Sequence, residues 1–129
     1  MAESSHSFIA YFKRMSSPVI VLSTLRERPM YGYEISTLIQ ERTEGRYTIS
    51  VMYPILYRLE EQGYIEIAAQ EVVDGRVRNY YQLTEAGQDY LDRTLAEYRA
   101  ISDDFRRLTE GSNDKADNGY RSIVNHYPT

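Results

Sequence analysis

Arg76 and Arg78 flank Val77 directly after Asp74-Gly75, so two guanidinium groups stand beside a tight-turn signal. A guanidinium is a planar fork of donors that matches the oxygens of phosphate or carboxylate, which makes the pair a candidate anion grip. Upstream, Ser50, Tyr53, Pro54, Tyr57 and Arg58 recur at helical spacing and offer hydroxyls, aromatic edges and one cation. Those groups read a polar surface; none is equipped to break a bond. Thr48, with the free backbone N–H groups at the start of that helix, can hold a phosphate, and Arg42 and Arg46 lie close enough in sequence to add charge. Tyr31 and Tyr33 offer hydroxyls to the same target. Enzyme chemistry is poorly supplied. The chain has two histidines, His6 and His126, one near each end, no cysteine, no glycine-rich phosphate loop and no metal-ligand spacing. No cofactor and no metal are expected.

At 129 residues the chain has the size of one domain and can build a core without disulfides. A lack of cysteine suits a reducing cytoplasm. The longest apolar run, Pro18 to Leu22, is far short of the roughly 20 residues a membrane span needs, and Met1 to Ser7 lacks the regions of a signal peptide. The expectation is a cytoplasmic protein with no membrane partner. A net charge of −4 argues against nucleic acid, whose phosphates are met by Lys and Arg. Its distribution weakens that objection: residues 1–83 hold nine basic and ten acidic side chains, while residues 84–129 hold six and nine. The excess acid lies mainly away from the candidate grip.

The elements that must position these residues follow from periodicity. Phe8, Ile9 and Phe12 form a helical stripe that Lys13-Arg14 and Ser16-Ser17-Pro18 should break, giving a short N-terminal helix. Pro18 suits a first turn capped by Ser17, and Val19, Leu22 and Leu25 carry a second helix to Arg28-Pro29. Tyr31-Gly32-Tyr33-Glu34 opens a third, with Ile35, Leu38 and Ile39 inward and an end near Gly45. A fourth starts at Ser50. At 100° per residue Met52, Ile55, Leu56 and Leu59 converge on one face, leaving Ser50, Pro54, Tyr57 and Glu61 opposite, flanked by Tyr53 and Arg58. Gly63 closes this helix.

Ile65, Ile67 and Ala69 then alternate with Tyr64, Glu66, Ala68 and Gln70 as in a half-buried strand. Asp74-Gly75 is a two-residue hairpin turn, so Val77 to Leu83 should return antiparallel, with Tyr81 and Leu83 on one buried face. Thr84 can cap a last helix from Glu85 to Leu108. There Leu91, Tyr98 and Phe105 are seven apart, as are Thr94, Ile101 and Leu108, and Leu95 widens the seam. That is the signature of a helix packed lengthwise on another.

The fold class is mainly α with a small β-hairpin: a winged helix-turn-helix with a long C-terminal dimerisation helix. The chain divides into an N-terminal helix (1–16), the winged helix-turn-helix (17–84), the C-terminal helix (85–110) and a polar tail (111–129). In such a fold the third helix braces the fourth, whose free face can enter a major groove, while the hairpin reaches backbone or minor groove. Plain structural readings stand beside these. Tyr31 and Tyr33 can pack on the second helix, the arginines can be ordinary solvated surface, and the seam can fold back on its own chain.

Three ordered segments resemble the PadR-like transcriptional regulators: Tyr31-Gly32-Tyr33-Glu34-Ile35, then Tyr53 to Ile65, then Gly75 to Gly87, within a likeness running from Pro18 to Leu108. The resemblance implies a repressor that binds double-stranded DNA as a homodimer. Leu91, Leu95, Tyr98, Ile101, Phe105 and Leu108 would then carry the dimer, with Phe8, Ile9 and Phe12 packed over the partner. It also implies a small aromatic effector at the dimer centre. This chain lacks the tryptophan on which one branch of the family stacks its ligand, leaving Tyr11, Tyr98 or Phe105 to line such a site. A different class of function, a winged-helix protein-interaction module without DNA binding, is motivated by a pI of 5.2 and by Glu60 and Glu61 on the fourth helix. Pairing of Arg42, Arg46, Arg76 and Arg78 with Glu41, Glu44 or Glu71, leaving no positive face, would favour it.

Overall fold

The computed structural model describes residues 6–111. The chain runs through α1 (Phe8–Leu25), α2 (Gly32–Arg42) and α3 (Met52–Glu61), then an antiparallel hairpin of β1 (Ile65–Val73) and β2 (Arg76–Leu83), then α4 (Glu85–Glu110). The chain forms two compact units, the first running to Leu91 and the second from Asp92, so α4 contributes to both. Of the polar tail only Gly111 lies within the described residues.

The two helices expected before residue 28 are one. α1 runs unbroken through Pro18, starting at Ser7, whose hydroxyl accepts a hydrogen bond from the Ala10 N–H. A mid-helix proline removes one donor and crowds the carbonyl four residues back. Here hydroxyls take up the neighbouring carbonyls: Ser16 Oγ donates to the Phe12 carbonyl at 2.6 Å and Ser17 Oγ donates to that of Lys13. Tyr47 reinforces the spot from outside, its hydroxyl 2.6 Å from Ser16 Oγ and 3.1 Å from Ser17 Oγ. Tertiary anchoring therefore outweighs the local helix-breaking signal, and the boundary expected at residue 16 falls inside a helix.

The core of the first unit is Val21, Leu22 and Leu25 from α1, Ile35 and Ile39 from α2, and Met52, Ile55, Leu56 and Leu59 from α3, closed by Met30, Ile65, Tyr81 and Leu91. The inward stripe of α3 matches the helical-wheel expectation, with Leu38 of α2 half-buried rather than buried. α3 itself begins at Met52, two residues later than expected, so Ser50 precedes it and Pro54 occupies the third position, where a missing N–H costs little. At its far end Gly63 takes φ +82°, and the Tyr64 N–H reaches back to the Leu59 carbonyl at 3.0 Å, satisfying a carbonyl the helix leaves open.

In the hairpin, Asp74 (φ 51°) and Gly75 (φ 74°) form the two-residue turn with both residues in the left-handed region. β1 departs from the half-buried expectation. Ile65 is buried, but Ile67 is 39% exposed and the residues beyond are open to solvent up to half-buried Val73. The reason is twofold. Only the base of a two-stranded ribbon meets the helices, and a register irregularity between Ile67 and Ala69 interrupts the alternation. Tyr81 is buried as expected, with Leu83 half-buried. Burial raises the Tyr81 phenol above its ordinary value. The base of β2 gains a second partner besides β1, since Met30 and Tyr81 exchange both backbone hydrogen bonds, at 3.1 and 2.9 Å. At the start of α4, Thr84 Oγ1 accepts from the Gly87 N–H at 3.0 Å and donates to the Gly63 carbonyl at 2.6 Å, so the expected cap also ties α4 to the end of α3.

Candidate nucleic-acid interface

The inner stripe of α3 being buried, its outer face is free. Tyr53 and Tyr57 are 54% and 62% exposed, and Pro54 and Arg58 are exposed beside them. Tyr53 nonetheless has a fixed footing. Its ring lies over Gly32 at the start of α2, where a Cβ would meet it at 3.2 Å, so the first turn of α2 braces the first turn of α3 through a glycine. α2 itself begins with the Glu34 carboxylate accepting from the Tyr31 N–H at 3.2 Å.

One groove gathers Tyr31 and Tyr33 from the start of α2, Tyr53 and Tyr57 from α3, and Arg76 and Arg78 from the hairpin. Six of the residues singled out from sequence therefore meet in one place. Thr48 and Ser50 are exposed on the approach to α3 but do not line this groove, nor do Pro54 and Arg58. Among the described residues Arg58 and Arg76 have no ion-pair partner.

Charge elsewhere is more compensated than the sequence suggested. Arg42 makes a two-pronged pair with Glu27, at 2.6 and 2.8 Å, and its hydrogen bonds hold the Glu27 carboxyl below its ordinary value. Arg42 thus ties the end of α2 to the segment after α1 and is not a spare cation for the α3 N-terminus. Arg46 pairs with Glu44 at 2.8 Å. Glu44 is among the acids expected from sequence to pair with these arginines, whereas Glu27 is not: sequence proximity does not say which neighbour a long side chain will meet.

Arg78 is held differently. Its Nη1 lies 3.6 Å from Glu71 Oε1 and its guanidinium 4.7 Å from the centroid of the Tyr31 ring. Tyr31 meets the Tyr80 ring edge-on at 5.2 Å and stacks with Tyr33 at 6.5 Å. Tyr80 donates its hydroxyl to the same Glu71 oxygen at 3.1 Å, and burial together with that carboxylate raises the Tyr80 phenol above its ordinary value. Tyr31 is thus a platform for Arg78 within the groove. Glu71 and Tyr80 were not singled out from sequence as site residues, yet a signal existed: a two-residue turn at Asp74-Gly75 places Glu71 opposite Arg78 by counting outward.

For the second unit and the N-terminal turn the question is exposure. In α4, Tyr98, Ile101, Phe105 and Leu108 are 47–76% exposed, and Leu95 is half-buried. In α1, Phe8 and Ile9 are exposed and Phe12 half-buried. Leu91 differs: with no exposed surface it is spent in the core of its own chain and has nothing to offer a partner. Among the described residues no group of His, Cys, Asp or Glu could hold a metal, and no helix is long and apolar enough to cross a membrane.

A braced helix with a free polar face and an arginine-bearing hairpin beside it define a winged helix-turn-helix regulator. The chain belongs to the transcriptional regulator PadR-like family, whose model matches residues 21–93. It is 32% identical over 110 residues to the transcriptional regulator Rv3488 of Mycobacterium tuberculosis, covering 84% of this chain and 96% of that one. Among solved structures, a PadR family transcriptional regulator from Eggerthella lenta matches with TM-score 0.70 at 28% identity over 79% of this chain and 88% of its own. A transcriptional regulator from Clostridium thermocellum matches with TM-score 0.66 at 32% identity over 72% and 92%.

Proposed function

We propose that this transcriptional regulator is a cytoplasmic repressor that binds double-stranded DNA as a homodimer, presenting two α3 helices to successive major grooves of a pseudo-palindrome about 34 Å apart. The observation that carries the reading is the groove in which Tyr53 and Tyr57 of α3 face Arg76 and Arg78 of the hairpin. In this reading Ser50, Tyr53, Pro54, Tyr57 and Arg58 approach base edges, Thr48, Tyr31 and Tyr33 offer hydroxyls to phosphate, and the hairpin arginines grip the backbone. Arg46 contributes only by leaving Glu44.

The dimer reading rests on the exposed apolar side chains of α4, Tyr98, Ile101, Phe105 and Leu108, with Leu95 beside them and Phe8, Ile9 and Phe12 on α1. Release by a small aromatic effector would draw on aromatic side chains that the protein leaves open, Tyr11 in the first unit and Tyr98 and Phe105 in the second.

The pairing of Arg42, Arg46 and Arg78 with acids favours the second reading, a protein-interaction module. Its weight is small, because exposed ion pairs contribute only about 0.2–1 kcal/mol each and a phosphate can displace the acid. A gel shift against the gene's own upstream region separates the two. DNA binding predicts retention above competitor DNA, steep weakening with salt, and a salt slope reduced by about one for Arg76→Ala. No retention above competitor, with Arg76→Ala indistinguishable from the parent chain, would leave the interaction module standing.

A further inference from the structure

We propose that Glu71 acts as an internal stand-in for phosphate, holding Arg78 in reserve so that docking of the hairpin on DNA is an exchange of one anion for another. The inference deepens the DNA-binding reading and rests on it. Four side chains close a ring: Glu71 pairs with Arg78, Arg78 lies over Tyr31, Tyr31 meets Tyr80, and Tyr80 returns a hydrogen bond to Glu71. Each contact has a separate task. The ring face of Tyr31 supports the guanidinium plane without using its donors. The Tyr80 hydroxyl fixes the carboxylate oxygen that faces Arg78.

Distance decides that this pair is exchangeable. At 3.6 Å the Arg78–Glu71 contact is too long for a hydrogen bond, whereas Arg42 and Glu27 meet twice at 2.8 Å or less. Arg78 remains 38% exposed and Glu71 52%, so solvent and a phosphate can reach both. An exposed pair of this kind is worth a factor of about one to five in equilibrium terms. That is small beside the gain from a charge-assisted bidentate contact to phosphate. Glu71 therefore lowers affinity for every duplex by a modest factor while keeping Arg78 aimed from the hairpin toward the groove. The cost of leaving Glu71 is recovered only where the duplex fits closely enough for Arg78 to be used.

Anisotropy titrations of the full chain with a labelled 30-bp duplex of random sequence test this, since non-specific phosphate contacts suffice for the readout. Glu71→Gln should tighten binding about two- to fivefold. In an Arg78→Ala background the gain should fall to what removal of any one carboxylate charge from this strand gives, because the rest of it acts through Arg78. Glu66→Gln removes an equal charge from the same strand, where among the described residues the Glu66 side chain accepts from Gln82 and meets no arginine, and should give less than half the gain. Tyr80→Phe, which deletes only the orienting hydroxyl, should give a smaller gain that vanishes without Arg78, and it serves as the second probe should Glu71→Gln disturb the hairpin. Equal tightening with and without Arg78, or no tightening at all, overturns the exchange while leaving DNA binding intact. Absence of binding by the parent chain even at low salt overturns both.

Discussion

Gly87, in the first turn of α4, lies so close to Tyr64 that a Cβ built on it would fall 2.0 Å from the Tyr64 carbonyl oxygen. That same oxygen accepts from the Thr84 N–H at 3.1 Å, so the start of α4 is seated directly on the backbone that leads into β1. The Tyr64 and Tyr90 rings stack at 4.4 Å beside this contact. Alanine at a helical position ordinarily gains stability over glycine by about 1 kcal/mol. Here the obstacle is backbone, not a flexible side-chain tip, and overpacking of this kind costs about 1–3 kcal/mol. Gly87→Ala should therefore lower the thermal midpoint in spite of its better helix propensity. A midpoint equal to or above that of the parent chain would show that the α4 start can move off Tyr64.

Glu27 and Arg42 make a pH-dependent prediction. Hydrogen bonding to Arg42, followed by its charge and those of Arg28 and Arg26, holds the folded-state Glu27 below the ordinary 4.5, against an opposing effect of burial. A carboxyl with a depressed folded value contributes stability that is fully present above its unfolded value and is lost as pH falls through the folded one. The stability gap between the parent chain and Glu27→Gln should thus be constant from pH 7 to about 5 and close progressively below 4.5. Urea melts at matched pH measure it. A gap that persists unchanged down to pH 3 would mean that Glu27 acts through packing rather than charge.

Leu91 and Leu108 belong to the two interleaved seven-residue series of one seam yet should behave oppositely. Leu91 has no exposed surface, and truncating a buried leucine costs about 2–5 kcal/mol, so Leu91→Ala should destabilise the fold itself. Leu108 is 76% exposed, and together with Phe105 it is proposed to meet a second copy. Leu108→Glu with Phe105→Glu should leave the far-ultraviolet spectrum unchanged and convert the sedimenting species to one chain of 15.1 kDa. A parent chain that already sediments at that mass sinks the two-headed mechanism.

What was legible in the sequence was whatever a single periodicity or turn controls. The buried face of α3 follows from Met52, Ile55, Leu56 and Leu59 alone, and the hairpin follows from Asp74-Gly75. What failed depended on distant partners. The unbroken α1 requires Tyr47, some thirty residues away, to bond Ser16 and Ser17 beside Pro18. Met30 joins β2 as a single residue, too short for any alternation to announce it. The exposed stretch of β1 reads as half-buried because Ile65, Ile67 and Ala69 recur at every second position, but among the described residues nothing buries the outer half of the ribbon. Glu44 and Glu71, near Arg46 and Arg78 in sequence or across the hairpin, were within reach of sequence reasoning, while Glu27, the partner of Arg42, was set by tertiary approach.

The division of α3 into a buried and an open face bears on how such a head could be retargeted. Because Met52, Ile55, Leu56 and Leu59 carry the packing, residues at Pro54, Tyr57 and Arg58 can be exchanged as a cassette without rebuilding the domain. Tyr53 is outside that freedom. Its ring fills the space above Gly32, so a smaller residue there would open a gap between the two helices and a new specificity at that position would need a second change in α2.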